Sequence, residues 1–258
     1  MSTQAEDPAK LAYQATARFY DDFTGGYGYQ YEKWSRTLLA KAREEGMSGT
    51  RLLDVACGTG LSFTALLDEG WSVTACDISP AMIEAARAKF GDRVELAVAD
   101  MRKLPRLGEF DLVWALNSPI AYLADAAELE ATLAGMRRNL APGGVALFDA
   151  LTVKAARSFL GERLSFERDG KTFVWDGQVP ADQIGPGMVG EGRFEVVGDP
   201  DATNVHRMRH FEQEAVLAAI GAAGLETVGA FGELDGALEP GIDEERHTTA
   251  VYVCRAAA

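Results

Sequence analysis

Residues 51–63 read RLLDVACGTGLSF, an apolar, strand-like run followed by two glycines that are spaced as in a nucleotide-binding loop. Gly58 and Gly60 let the chain turn tightly and let a ligand approach the backbone, because no Cβ is in the way. Phe63 occupies the position of the third glycine of a dinucleotide fingerprint, which allows close helix–strand packing beside a pyrophosphate. This phenylalanine disfavours NAD and leaves open what the loop binds.

Short apolar runs alternate with amphipathic runs from residue 51 to residue 151, which is typical of parallel strands joined by crossover helices. Five strands are predicted here, at RLLDVAC, SVTACD, VELAVAD, FDLVWAL and VALFDAL, and two more at LETVGAF and TTAVYVCR near the end of the chain. The predicted fold class is therefore α/β, with a doubly wound, mostly parallel sheet of these seven strands.

The pattern changes after Leu151, where polar and apolar residues alternate around Asp169-Gly170, a strong hairpin turn signal. We predict an antiparallel insertion after the fifth strand, at about residues 160–211, with a second turn at Asp199–Thr203. The insertion is expected to wall a substrate site or to form a dimer contact. Its exposed strand edges need covering, which favours a homodimer.

The first 46 residues contain Phe19, Phe23, Trp34 and five of the seven tyrosines, namely Tyr13, Tyr20, Tyr27, Tyr29 and Tyr31. We predict a helical cap or lid at 1–46, broken at Gly25-Gly26, ahead of an α/β domain at 47–258. Most of these rings are expected in a core. A few are expected to line a pocket under a lid that excludes water.

Composition excludes several classes of function. The formal net charge is −14 and the Lys and Arg residues do not cluster, so a nucleic-acid partner is not expected. No apolar run reaches the length of about 18 residues that a membrane span needs, and the first residues lack signal-peptide features, so we expect a cytoplasmic protein without membrane contact. Cys57, Cys76 and Cys254 lie in apolar runs, which indicates buried thiols, and no metal-ligand spacing is present.

Carboxylates follow the predicted strands at the edge where open α/β sheets bind ligands. Asp77 ends the second strand, where a carboxylate can accept hydrogen bonds from a ribose diol. Asp100 and Met101 follow the third, where they suit an adenine amino group and ring. Asp54 lies beside the glycine loop, where it would repel a pyrophosphate but suits a cationic amine and sulfonium. The ligand that fits is S-adenosylmethionine.

The series LLDVACGTG, ACDIS, VADM, FDLVWAL and LAPGGVALFDA resembles, in order and spacing, the motifs of class I S-adenosylmethionine-dependent methyltransferases. The resemblance covers residues 50–150 closely. The end of the chain, with VGAFGELDG and HTTAVYVCR, resembles bacterial small-molecule members of that family, including aminosugar N-methyltransferases with an antiparallel insertion at this place. A Rossmann-like fold and S-adenosylmethionine as cofactor are what the resemblance implies.

The resemblance also implies roles for individual residues. Those implied to contact the methionine part are Asp54 and the backbone around Ala56, Gly58 and Gly60. Those implied to contact the nucleoside are Asp77 at the ribose, Ile78 and Met82 beside the adenine, and Asp100 with Met101 at its edge. Leu116 would reach the cofactor through its backbone, and Tyr20 would close over the sulfonium end.

Catalytic candidates follow the fourth strand and the insertion. Asn117, Ser118 and Tyr122 lie in a loop that is expected over the methyl group, where they could orient an amine or a hydroxyl. Related enzymes often have an acidic residue near Asn117, so its amide puts carboxylate assistance in doubt. The three histidines are His206, His210 and His247. His210, with His206 on the same face of a predicted strand, is a candidate base.

The sequence therefore predicts a methyltransferase that acts on an amine or hydroxyl of a small molecule, such as a metabolite or natural-product intermediate. A peptide or protein methyltransferase is one alternative, in which the insertion would form an open groove. A catalytically silent cofactor-binding protein is another. Phe63 and Asp54 make a dehydrogenase the most distant reading.

Overall fold

A computed structural model describes residues 7–28 and 30–257, so the predicted aromatic residue Tyr29 lies outside the described part. The strands are β1 Arg51–Val55, β2 Ser72–Asp77, β3 Glu95–Val98, β4 Phe110–Ala115, β5 Leu140–Leu151, β6 Arg163–Arg168, β7 Lys171–Gly177, β8 Val189–Val196, β9 Asp199–Arg209, β10 Leu225–Leu234, β11 Ala237–Pro240 and β12 Thr249–Ala256. The helices are α1 Pro8–Thr16, α2 Tyr20–Gly26, α3 Tyr31–Glu44, α4 Thr64–Asp68, α5 Pro80–Phe90, α6 Ala126–Arg138, α7 Val153–Gly161 and α8 Gln213–Ala222. Among the described residues, no helix is both long and apolar enough to cross a membrane.

The central sheet has eight strands in the order β11-β10-β12-β5-β4-β1-β2-β3. Strands β1 to β5 are parallel, and β12 is antiparallel to both of its neighbours. The predicted fold class, a doubly wound and mostly parallel sheet, is confirmed. The predicted number of seven strands is one too few, because Ala237–Pro240 forms a short edge strand that hairpins onto β10 around Asp235-Gly236.

The sheet is covered on both faces by helices whose apolar sides form two cores. One core contains Leu38 of α3, Leu66 of α4 and Ile83 of α5, all nearly inaccessible to solvent. The other contains Leu133 of α6 and Ile220 of α8. The strands β1 and β4 are therefore buried on both sides, which explains their nearly continuous apolar sequence.

The insertion folds as an antiparallel sheet, as predicted, and has four strands in the order β6-β7-β8-β9. Asp169-Gly170 forms the first hairpin turn with positive φ at both residues, whereas the second turn lies at Val197-Gly198 and not at Asp199–Thr203, which belong to β9. A third core joins this sheet to the helices α2 and α7 and contains Phe173, Phe194 and Leu160. The insertion thereby lies against the N-terminal helices.

Candidate functional site

A cavity, called here the strand-end cavity, lies beyond the carboxyl ends of β1, β2 and β4 and under α1. Its lining residues are Ala9, Tyr13, Tyr20, Ala56, Gly58, Asp77, Ile78, Met101, Leu116, Asn117, Pro119 and Tyr122. The structure thus brings Tyr20, Ala56, Gly58, Asp77, Ile78, Met101 and Leu116 of the predicted cofactor residues to one place. This is the edge of an open α/β sheet at which ligands bind.

The glycine loop shapes the floor of this cavity. Ala56 and Gly58 have positive φ values of 59° and 55°, and a Cβ on Gly58 would lie 3.5 Å from the Tyr20 ring above it. Gly60 does not line the cavity. With φ of 89°, a Cβ there would lie 2.5 Å from the Phe90 ring and 2.6 Å from the Phe63 ring. Phe63 is fully buried against Phe90, so close packing at this turn fills the space beneath the loop.

Asp77 fastens the glycine loop to the end of β2. Its carboxylate accepts hydrogen bonds from the backbone N–H groups of Gly58 at 2.9 Å and Ser79 at 2.8 Å. Burial raises the pKa of Asp77 to about 6, and these backbone donors partly oppose that shift. A carboxylate held in the lining of this cavity suits a diol ligand, because it can accept further hydrogen bonds.

Asp54 is 1% exposed, and only one of its oxygens is paired in the described part of the chain. Oδ2 accepts a hydrogen bond from the Ser62 hydroxyl, while Oδ1 is buried and makes no hydrogen bond of normal geometry. Burial raises the pKa of Asp54 to about 7, although the Ser62 hydroxyl and the Trp114 indole lower it in part. An unpaired buried carboxylate oxygen is costly, and a cationic ligand would relieve that cost.

Two residues that are predicted to contact the adenine have other surroundings in the structure than the sequence indicates. Met82 is fully buried beneath the site and is not among the residues lining the cavities described here. Asp100 lines the adjoining rim beside Ile78 and Met101, but Arg102 binds both of its oxygens and lowers its pKa. Arg102, which sequence reasoning missed, also pairs with Asp7 at 2.6 Å. It therefore ties the start of α1 to this rim.

A second cavity, called here the aromatic pocket, shares Tyr13, Tyr20, Asn117 and Tyr122 with the strand-end cavity. Its other lining residues are Thr16, Phe23, Thr24, Ser118, Asp149, Leu151, Phe159, Trp175, Phe194, His206, Met208, Thr248 and Thr249. Three strands of the insertion contribute to its wall. No Lys or Arg is among the described residues that line it.

Asn117 stands at the junction of the two cavities. Its side-chain amide donates hydrogen bonds to the hydroxyls of Tyr20 at 3.2 Å and Tyr31 at 3.0 Å. Its backbone N–H donates to Asp149, as does that of Ser118, and this carboxylate holds both residues at positive φ. Burial raises the pKa of Asp149 to about 6. A buried acidic group thus does lie near Asn117, but it comes from β5, 32 residues away in sequence.

The structure places His206, and not His210, in the aromatic pocket. His206 lies on β9 and its Nδ1 is 2.9 Å from the Tyr122 hydroxyl. His210 follows the end of β9, where its Nδ1 accepts from the Gly187 N–H and its Nε2 pairs with Glu244. Both ring nitrogens of His210 are therefore engaged away from the pocket, and the structure does not support its prediction as a catalytic base. The third histidine, His247, bonds the backbone of Asp243.

This chain is similar to known proteins in both its sequence and its fold. Residues 52–144 match the family described as a methyltransferase domain. Over 224 residues, the chain is 31% identical to the dTDP-3-amino-3,4,6-trideoxy-alpha-D-glucopyranose N,N-dimethyltransferase of Streptomyces venezuelae, and the match covers 81% of this chain and 89% of that protein.

Two solved structures are similar over most of their length. The sugar N-methyltransferase KedS8 from Streptoalloteichus sp. ATCC 53650 has a TM-score of 0.69 and 29% identity, with 92% of each chain covered. The amino pentose methyltransferase CalS10 from Micromonospora echinaspora, solved with S-adenosylmethionine bound, has a TM-score of 0.69 and 25% identity, covering 91% of this chain and 95% of that one.

The fold, the strand-end cavity and the similarity to these methyltransferases together identify an enzyme that transfers a methyl group. The chain belongs to the class I S-adenosylmethionine-dependent methyltransferases, of the bacterial small-molecule type, and S-adenosylmethionine is its cofactor. The site residues fit that cofactor, since the unpaired Asp54 oxygen suits an ammonium group and the Cβ-free position at Gly58 leaves room above the loop.

Proposed function

We propose that this enzyme methylates the amine of a small molecule held in the aromatic pocket, with an amino sugar as the favoured acceptor class. The observation that carries the proposal is the composition of the pocket wall. Aromatic faces from Phe23, Trp175 and Phe194 surround it, and Asp149 is the carboxylate at its floor. Such a wall stabilises a nitrogen that becomes positively charged, because ring faces and carboxylates both attract cations.

Most of the proposed cofactor contacts line the strand-end cavity, whereas Asp54 is buried and is not among its lining residues. Asp54 and the loop at Ala56 and Gly58 would hold the methionine part, Asp77 the ribose and Ile78 with Met101 the adenine. Tyr20 and Asn117 then stand between cofactor and acceptor, because both line the two cavities. When bound, S-adenosylmethionine supplies a methyl group that its sulfonium has already activated.

Methyl transfer to nitrogen needs alignment more than acid–base chemistry. The bound cofactor would supply its methyl group to the lone pair of a neutral amine, with the thioether sulfur as leaving group, and the resulting ammonium would lose its proton to water. The chain's contribution is to orient the amine and to exclude water during transfer. The rings of α1 and α2, including Tyr13 and Phe23, cover the pocket and serve that purpose.

A covered pocket also argues for a small acceptor over a peptide. The insertion lies against α2 and closes the pocket instead of forming an open groove, with Phe23 packed on Phe194 at 5.0 Å between ring centres. A wider vestibule continues outward from it and shares Phe159, Thr248 and Thr249. The acceptor would therefore enter past α7 and place its amine innermost.

Matched acceptor pairs test the proposal. The dTDP amino sugar that the Streptomyces venezuelae relative is named for is assayed beside its counterpart with a hydroxyl in place of the amine, and products are identified by mass spectrometry. We expect methylation of the amine-bearing member only, at its nitrogen. Methylation of the hydroxyl-bearing counterpart at comparable rate would contradict an amine-specific pocket.

A further inference from the structure

The side chain of His206 is 3% exposed, and in the described part of the chain its Nε2 makes no hydrogen bond. Its ring lies in the wall of the aromatic pocket, 5.2 Å from the Trp175 ring centre. An imidazole nitrogen buried without a partner costs free energy unless a ligand completes its hydrogen bonding. Which partner it needs depends on whether Nε2 carries a proton.

A chain of three side chains decides the position of that proton. The Tyr13 hydroxyl lies 2.9 Å from the Tyr122 hydroxyl, which lies 2.9 Å from Nδ1 of His206. Within the described residues, the Tyr13 hydroxyl has no other hydrogen-bond partner. If Tyr13 donates to Tyr122 and Tyr122 donates to Nδ1, both hydroxyl protons are satisfied. If Nδ1 of His206 instead donated to Tyr122 and Tyr122 donated to Tyr13, the Tyr13 proton and the Nε2 lone pair would both stay unpaired.

The charge state of the His206 ring is consistent with donation from Tyr13 to Tyr122 and from Tyr122 to Nδ1. Burial lowers the pKa of His206 to about 4, so the imidazole is neutral near pH 7. The other ionisable groups that line the pocket are Tyr13, Tyr20, Tyr122 and Asp149, and burial raises the pKa of each of them. A neutral imidazole whose Nδ1 accepts a proton from Tyr122 carries its own proton on Nε2.

We infer that His206 donates a hydrogen bond from Nε2 to an oxygen of the methyl acceptor, and that the pocket selects amines with a hydroxyl, ether or carbonyl oxygen near the methylated nitrogen. The inference rests on the proposed function and narrows its acceptor class. His206 acts here as a positioning residue and does not take the amine proton, because its only lone pair is occupied by Tyr122.

This assignment links acceptor recognition to the N-terminal cap. Tyr13 belongs to α1, so Tyr122 receives its proton donor only when α1 covers the pocket. With α1 displaced, the Tyr122 hydroxyl is free to accept from His206 and the imidazole is no longer held in one tautomer. The oxygen-binding form of His206 is thus a property of the covered site.

Nitrogen NMR of the full-length protein labelled with ¹⁵N-histidine reads the tautomer directly, and only three histidines contribute. The His206 signals are assigned by their loss in His206→Gln. We expect a neutral ring protonated at Nε2 between about pH 5.5 and about pH 8, where an unperturbed histidine would titrate. In Tyr122→Phe this tautomer preference should be lost, whereas Tyr252→Phe, a buried tyrosine stacked on Phe148, should leave it unchanged.

Two small probes test recognition in the same spectra without methyl transfer. With S-adenosylhomocysteine present, trans-2-aminocyclohexanol should shift the Nε2 signal and cyclohexylamine, which lacks the oxygen, should not. Calorimetric titration of each probe compares the variants, which have no His206 signal. In His206→Phe the ratio of the two probe affinities that favours the amino alcohol should fall about fivefold to tenfold, on the scale of one lost hydrogen bond, and His206→Gln should restore part of it.

A ring protonated on Nδ1 or charged at neutral pH would overturn the inference, as would equal shifts from both probes or none from either. Failure of amine methylation in the acceptor-pair assay would instead contradict the proposed function, whatever the tautomer.

Discussion

Asp54 is a fully buried carboxyl group beside the glycine loop, which we propose to hold the cationic methionine part of the cofactor. Its pKa of about 7 means that much of the protein without cofactor carries a protonated Asp54 below neutral pH. In the cofactor contact that we propose, the ammonium group lies near Asp54 and favours the ionised carboxylate, so binding would release that proton. Burial and ligand charge thus act in opposite directions on the same side chain.

We therefore predict that S-adenosylmethionine binds more tightly as the pH rises from about 6 to about 7, by at most tenfold, and that binding releases a proton over that range. Calorimetry in two buffers of different ionisation enthalpy measures this release. Asp54→Asn should abolish most of it and weaken binding by about 1.5–3 kcal/mol, the scale of a charged hydrogen bond.

Asp68→Asn, which removes an exposed carboxylate paired with Arg93, is the matched control and should change neither quantity. Proton release that persists unchanged in Asp54→Asn would assign the titration to another group, with Asp77 the first candidate.

Position along a predicted strand is enough to place some residues at the sheet edge where the strand-end cavity lies. Asp77 and Gly58 follow predicted strands, and the sheet edge where they meet is a property of every open α/β fold. His206 and His210 are predicted on the same face of one strand, so their positions in the sequence do not distinguish them. They differ because β9 ends at Arg209, so that His206 lies on the strand and His210 lies beyond it. The end of a strand inside an insertion depends on tertiary contacts, which the periodicity of the sequence does not reveal.

At the scale of elements, α1 is held over the strand-end cavity from both ends. Asp7 caps its first turn and binds Arg102, and Asn204 of β9 donates to the Thr16 hydroxyl at its last residue. The aromatic residues of this region were predicted as partly pocket-lining, and Tyr13 and Tyr20 are. The ion pairs of Arg102 with Asp7, Asp100 and Glu128 could not be predicted from the sequence. Nothing in the sequence distinguishes Arg102 from an arginine on the surface.

We predict that Arg102→Ala loosens the start of α1. Removing a partly buried guanidinium shared by three carboxylates should cost about 1–2 kcal/mol locally, so the amides of residues 11–13 should exchange with deuterium about fivefold to thirtyfold faster. Hydrogen exchange with peptide mass analysis measures this. Arg106→Ala, which breaks only the exposed pair with Glu109, should leave α1 unchanged. Equal protection in both variants would show that the contacts with β9 suffice.

In the molecule as a whole, two sheets and the N-terminal helices line two adjoining cavities that share four residues. The central sheet supplies the strand ends and the cofactor loop, while the insertion supplies Trp175, Phe194 and His206 for the far wall. Sequence periodicity predicts both sheets, apart from the edge strand β11, whose Glu and Pro are typical of loops, and the second turn of the insertion, which precedes Asp199. It could not show how the second sheet lies over the first, because that depends on contacts such as Phe23 with Phe194, far apart in the chain.

The decisive experiment transfers an isotopically labelled methyl group into a metabolite extract and identifies the labelled product by mass spectrometry. We expect the label to move from S-adenosylmethionine to the nitrogen of a small amine that carries a nearby oxygen, and we expect Asp54→Asn to reduce this transfer. Label found only in protein, or only on oxygen atoms of amine-free molecules, would contradict it.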